Sequence, residues 1–285
     1  MSSTSLPAVQ QARARTSFMN GVWRVFDLSL GEMLWSRRTI FMGIVVGVPV
    51  FIAIVMRVVQ TLGIPALRIN GAVVDPTNMF GALILGPFLR FIVPILGVFY
   101  GTSLIADEIE DKTITYLFTR PLRRSAIFVG KYVAYLACTT LVVLPSIMLV
   151  YFLLVPLAQV AGSFVSLTID MGLLAIGLAA YGALFGLVGV VLKRPLVASL
   201  IFAFGWEQTA LIVPGYLRKF TVMYYLQGLV PHVGISDNLM AALEAFSGGT
   251  PPSAAASVAA LLFTVAASLV IAGRVIENRE YVLDQ

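Results

Sequence analysis

With 285 residues, 59% of them hydrophobic and 12% charged, and a mean hydropathy of +0.94, the chain lacks the polar shell that a soluble domain of this size needs. The net charge of +5 could suit a nucleic acid, but the basic residues flank apolar runs and no basic, aromatic-interleaved patch stands apart, so the charge reads as membrane topology. Cys138 and His232 are each alone, which excludes an intrachain disulfide and a cysteine-based metal cluster.

Residues 1–16 are polar and read as a disordered tail with no cleaved signal. Over 17–38, Phe18, Val22, Phe26, Leu30 and Met33/Leu34 recur every three to four residues, opposite Asn20, Arg24, Asp27 and Gly31. That period predicts an amphipathic helix. Trp23 and Trp35 along it and Arg37-Arg38 at its end suit a helix lying in the headgroup plane, although a soluble helix seated on a partner would carry the same pattern.

Continuous apolar runs follow, of the length that a bilayer core about 30 Å thick requires, and they do not alternate as barrel strands would. The predicted class is an all-α polytopic membrane protein with six transmembrane helices over 39–273. The spans are placed near 39–56, 86–106, 127–157 with a kink at Pro145, 171–192, 196–213 and 254–273. Residues 274–285 form a terminal tail. With the amino terminus in the cytoplasm, Arg57, Arg68, Arg218 and Lys219 fall outside, Arg90 falls within a span, and the remaining lysines and arginines fall inside, so the positive-inside rule places both termini in the cytoplasm. Two outer segments are too long for simple turns. One, 58–85, is punctuated by Gly63, Pro65, Gly71 and Asp75-Pro76. The other, 214–253, carries Tyr216, Phe220, Tyr224 and Tyr225 beside Arg218 and Lys219, as expected of short re-entrant-like helices dipping into the outer interface.

The inner loop between spans two and three, 107–126, puts acids first and bases last. Asp107 to Asp111 are expected at the amino end of a short helix, with Ile114, Leu117 and Phe118 on its apolar face. Composition alone leaves open a solvated juxtamembrane loop or a docking element. The order of residues adds more: Glu108, Glu110, Thr113, Leu117, Pro121, Arg124, Gly130 and Lys131 resemble, in register, the pattern of type-2 ABC exporter permeases, with Lys112 departing from the glycine usual before the threonine. The layout of the whole chain is similar to that family too.

The resemblance implies the permease subunit of an ATP-driven exporter in a bacterial cytoplasmic (inner) membrane, pairing with a second permease subunit, homo- or heterodimeric. It implies a separate cytoplasmic ABC ATPase that carries ATP and magnesium. None of Lys112, Lys131, Lys193 and Lys219 sits in a phosphate-loop frame, so no cofactor is expected in this chain and no catalysis by it alone. In the coupling element so implied, Glu108 and Glu110 accept from a partner's donors, Thr113, Leu117 and Phe118 belong to the docking motif, and Arg124 returns to a partner carboxylate. The surface helix with Trp23, Phe26 and Trp35 would frame that site.

Arg90 and Glu207 are the ionisable residues placed inside spans, at about 24 Å and about 18 Å from the inner ends of their helices. At those depths they could pair near a substrate path. Alternatively Arg90 snorkels outward and Glu207 is held by Gln208 or a backbone group. Gly182 and Gly186 form a small-xxx-small step in span four that suits helix packing. The competing functions are a non-transporting anchor of an ATPase complex, a secondary transporter and an intramembrane enzyme, for which no paired acids, Ser-Lys set or metal ligands stand at membrane depth.

Overall fold

The computed structural model describes residues 18–62, 68–69, 72–73, 76–110, 123–212, 216–230 and 252–278. Helix α1 spans Phe18–Leu34 and is followed, after a turn at Trp35 and Ser36, by α2 at Arg37–Thr61. The turn is closed by hydroxyls: Ser36 Oγ donates to the Met33 carbonyl at 3.0 Å, and Thr39 Oγ1 reaches the same oxygen. The first outer segment holds a two-residue antiparallel ladder, β1 Arg68–Ile69 with β2 Ala72–Val73, Arg68 opposite Val73.

Span two begins ten residues before the apolar run suggested, as a helical rod over 76–110. It consists of α3 Pro76–Leu83, a π-helical stretch Ile84–Ile92, α4 Val93–Leu96, a second π stretch Gly97–Gly101 and α5 Ser103–Glu110. Pro87 and Pro94 lie in this rod, and each removes a backbone donor, which favours locally widened hydrogen bonding. Next comes α6, Arg124–Leu154, unbroken through Pro145, and α7, Leu157–Val191. A second composite rod over 195–212 follows: α8 Pro195–Leu200, a π stretch Ile201–Trp206 and α9 Glu207–Ile212. A 3₁₀ turn at Tyr216–Phe220, the short α10 at Val222–Gln227 and the long α11 at Ala254–Asn278 complete the described chain.

Among the described residues five helices are long and apolar enough to cross a bilayer: Arg38–Thr61, Phe80–Glu108, Arg124–Leu154, Gly162–Val191 and Ala254–Asn278. The 195–212 rod is not among them; it is shorter and carries Glu207 and Gln208.

Span four starts well before the predicted residue 171. Gly162, Ser163, Ser166, Thr168 and Asp170 dilute the apolar signal, but the hydroxyls are absorbed by the helix itself: Ser163 Oγ donates to the Gln159 carbonyl at 2.9 Å and Thr168 Oγ1 to Val165 at 2.7 Å. Asp170, 6% exposed, therefore lies inside the span, a buried acid that the sequence reading left outside it.

Helix α7 is the axis of the bundle, with 61% of its apolar stretch buried against 22% for α2 and 17% for α11. Glycines set its packing distances. A Cβ on Gly182 would stand 2.0 Å from the Tyr135 ring, one on Gly186 would meet Leu104 and Phe128, and one on Gly189 would lie 2.5 Å from the Thr102 carbonyl. The small-residue step predicted for span four thus receives α6 on one side and span two on the other. Tyr135, fully buried, donates to the Leu178 carbonyl at 2.9 Å, and Tyr132 does the same to Ala179. Gly182→Val is expected to displace Tyr135 and break its bond. Overpacking of this kind costs about 1–3 kcal/mol, and the lost bond adds about 1 kcal/mol, so unfolding in detergent should fall by roughly 5–10 °C.

Candidate functional site

One end of the bundle gathers those residues of the expected coupling loop that the structure describes, Asp107, Glu108 and Arg124. Asp107 and Glu108 lie in the closing turns of α5, at the carboxyl end of span two, rather than at the amino end of a new helix as the acid-first order suggested. The reason is local: from Ser103 to Glu110 no glycine or proline interrupts the helix, so it runs on through the acids. A carboxylate there opposes the helix dipole at a cost of a few tenths of a kcal/mol to about 1 kcal/mol, and two cations offset it. Arg38 Nη2, at the start of α2, lies 2.6 Å from Asp107 Oδ2. Lys131, in α6, pairs with Glu108 Oε1, and both side chains are largely shielded, at 12% and 19% exposure. Glu108 is therefore engaged within the chain, while its Oε2 has no partner among the described residues.

Residues 111–122 lie outside the described residues, and with them Thr113, Leu117 and Phe118; of Glu110 only the backbone is described, as the last residue of α5. Arg124 opens α6 and is half-buried. Beside it, Ser125 Oγ donates to Glu277 Oε1 of α11 at 2.5 Å. The ends of α2, α5, α6 and α11 are thus tied into one base around the loop. A cavity of about 270 Å³ opens in this base between Arg38, Phe99, Asp107, Arg194 and Leu196.

Helix α1 packs against the same base. Gly130 is the contact: a Cβ there would lie 2.8 Å from Val25 Cβ and 2.9 Å from the Val22 carbonyl. Val22 is buried, and Leu30, Met33 and Leu34 pack against the core. Trp23 and Trp35 are exposed, Trp35 at 93%, and Phe26 meets Trp23 edge to face at 5.3 Å. Phe18, the first residue of the predicted apolar stripe, is exposed, as are Met19, Trp23, Leu28 and Trp35.

The two ionisable residues expected inside spans each sit by a π stretch, Arg90 within Ile84–Ile92 and Glu207 just after Ile201–Trp206. Their rods touch, since the Phe91 and Phe204 rings stack at 6.2 Å. Among the described residues no ion pair joins Arg90 to Glu207. Glu207, 1% exposed, instead accepts from the Tyr181 hydroxyl of α7 and from the Val222 amide of α10, the latter at 2.9 Å. The partner expected for it in Gln208 is replaced by Tyr181, and the backbone partner lies fifteen residues on. Neither was legible beforehand, because helical depth fixes height and not direction around the axis.

Of the outer segment expected over 214–253, residues 216–230 are described and 231–251 lie outside the described residues. Tyr216 and Phe220 are exposed in the 3₁₀ turn, with Lys219 4.7 Å from the Tyr216 ring and Arg218 5.4 Å from the Tyr224 ring. Val222, Met223 and Leu226 of α10 turn inward and are buried. Among the described residues no group of three or more His, Cys, Asp or Glu stands together as a metal site.

The family model described as ABC-2 family transporter protein matches residues 8–280, nearly the whole chain. No curated protein matches it.

Proposed function

We propose, from the premise that this chain belongs to the ABC-2 transporter family and is the membrane subunit of an ABC transporter, that it is the permease of an exporter and receives the force of ATP hydrolysis through the loop between spans two and three. The family associates its membrane subunits with an ABC ATPase, and in this proposal that ATPase is a separate cytoplasmic chain carrying ATP and magnesium. The observation that carries the reading is the tied base: Arg38 to Asp107, Lys131 to Glu108 and Ser125 to Glu277 fix the helix ends on both sides of the loop. A push on a loop mounted this way is transmitted to helices rather than absorbed by bending.

Six crossings are the topology this reading requires, with both termini in the cytoplasm and a second permease subunit completing the pathway in the inner membrane. Two contacts support the sixth. Pro195 follows span four at the base, and Glu207 near the other end of the 195–212 rod bonds Val222 of the outer segment. Gly228, in turn, lies against Pro252 and Ser257 at the start of α11, whose far end returns to the base through Glu277. The exposed Met19, Trp23, Leu28 and Trp35 of α1 suit the inner headgroup layer.

Cysteine labelling tests the topology. In a Cys138→Ser background, Ser2→Cys and Ser125→Cys are expected to stay unlabelled by an impermeant thiol reagent in intact cells, and Ser247→Cys to react. Labelling of Ser125→Cys from outside would overturn the six-span arrangement.

A further inference from the structure

Glu207 is held in a way that membrane burial alone does not demand. A carboxylate in an apolar bundle needs both oxygens satisfied, but that need does not require the donors to come from different elements. Here the two oxygens are taken by two different elements: Oε2 by the Tyr181 hydroxyl of α7 and Oε1 by the Val222 amide that opens α10. The acid thereby joins span five, span four and the outer segment at one point.

Helix α10 has only six residues, too few to hold a position by its own hydrogen bonds. Its seat comes from neighbours at each end. At the amino end Glu207 receives the Val222 amide, while Thr221 Oγ1 accepts from Tyr224 at 3.3 Å. At the carboxyl end Gly228 is pressed so closely that a Cβ would stand 2.7 Å from Ser257 Oγ. Between them Leu226, fully buried, lies against Gly177 of α7. The segment thus dips into the bundle and is pinned there.

The pin is also in contact with span two. Tyr181 stacks on Phe185 at 5.8 Å, and its Cβ is approached by Gly97, where an added Cβ would lie 2.7 Å away. Gly97 opens the π stretch that precedes α5, and α5 carries Asp107 and Glu108 to the base. A displacement of span two along its axis therefore bears directly on the tyrosine that holds Glu207.

We propose that Glu207 is a latch: bonded to Tyr181 and to the Val222 amide it seats α10 in the outer end of the bundle, and movement of span two against Tyr181 releases it. The latch rests on the permease reading for its purpose, since unseating α10 opens the outer end of a pathway, but its bonds can be tested without an ATPase.

The test uses the full chain in membranes, with Cys138→Ser and the reporter Met223→Cys, a buried position on α10. Labelling by an impermeant maleimide is followed in intact cells and in inside-out vesicles. Glu207→Leu removes both bonds and is expected to speed labelling about tenfold or more, and Tyr181→Phe, which keeps the ring, several-fold. Glu207→Gln is expected to label near the wild-type rate, because its amide oxygen still accepts from Val222 and its amide nitrogen donates to the Tyr181 hydroxyl oxygen in place of the original bond. A control cysteine at Thr139, buried in mid-α6, reports general loosening. If Glu207→Leu also exposes that control, Tyr181→Phe decides: faster labelling at position 223 with a silent control supports the latch. An unchanged rate at position 223 in Tyr181→Phe, or Glu207→Gln labelling as fast as Glu207→Leu, overturns it. The side from which the reporter reacts tests the topology, and the ratio between variants tests the latch, so the two readings fail separately.

Discussion

Leu117→Asp is expected to leave the protein inserted in the membrane while lowering ATPase retention and transport by more than about tenfold. In the proposed topology the residue lies in the longer of two inner loops, the other being the short turn from Leu192 to Arg194 between α7 and α8. In sequence, in the register of the family pattern, Leu117 stands between the acids Glu108 and Glu110 and the base Arg124, with Phe118 beside it, and the proposed docking contact centres on these two apolar residues. Placing a carboxylate at such a centre strands a charge in a desolvated contact and costs several kcal/mol. The helices on either side of the loop are held by their own ion pairs, so insertion should be untouched. Co-purification with the ATPase and transport are the paired readouts; both persisting at wild-type levels would show that the loop does not couple the two proteins.

Lys131→Met is expected to destabilise the chain by about 2–3 kcal/mol, read as a fall of roughly 5–10 °C in detergent unfolding. Glu108 would then keep a shielded carboxylate with neither oxygen paired, because its Oε2 already has no partner among the described residues. The double change Glu108→Gln with Lys131→Met should recover most of the loss, since it removes the charge along with its counter-ion. Additive losses would mean that the pair contributes nothing as a pair. Arg38→Gln should cost less than about 1 kcal/mol, because Arg38 and Asp107 are 44% and 39% exposed and water screens them.

The long apolar runs were legible because a helix in lipid must satisfy its backbone internally, which leaves little choice of structure for 20 apolar residues. The glycine step at Gly182 and Gly186 was legible for a similar reason: small residues at that spacing have few other uses in a membrane helix. The early start of α7 was not, since Ser163, Thr168 and Asp170 resemble a loop until their hydroxyls are seen to bond back to the helix. The signal available was negative: no proline interrupts the chain between Pro156 and Pro195. The acids at 107 and 108 were placed on the wrong end of a helix, because charge order marks a terminus without saying which helix owns it. The partners of Glu207 lie fifteen and twenty-six residues away in sequence, on elements whose facing is decided only by the assembled bundle. The π stretches in both composite rods left no trace beyond Pro87 and Pro94, and the second rod has no proline in its π stretch at all.

The decisive experiment is to purify the wild-type chain with and without its ATPase and to follow ATP hydrolysis. The account predicts that the chain alone hydrolyses no ATP, and that the complex retained in mild detergent hydrolyses it in a magnesium-dependent manner with the ATPase present in stoichiometric amount. Hydrolysis by the isolated chain, or a wild-type chain that holds no ATPase under conditions where it remains folded, would contradict it.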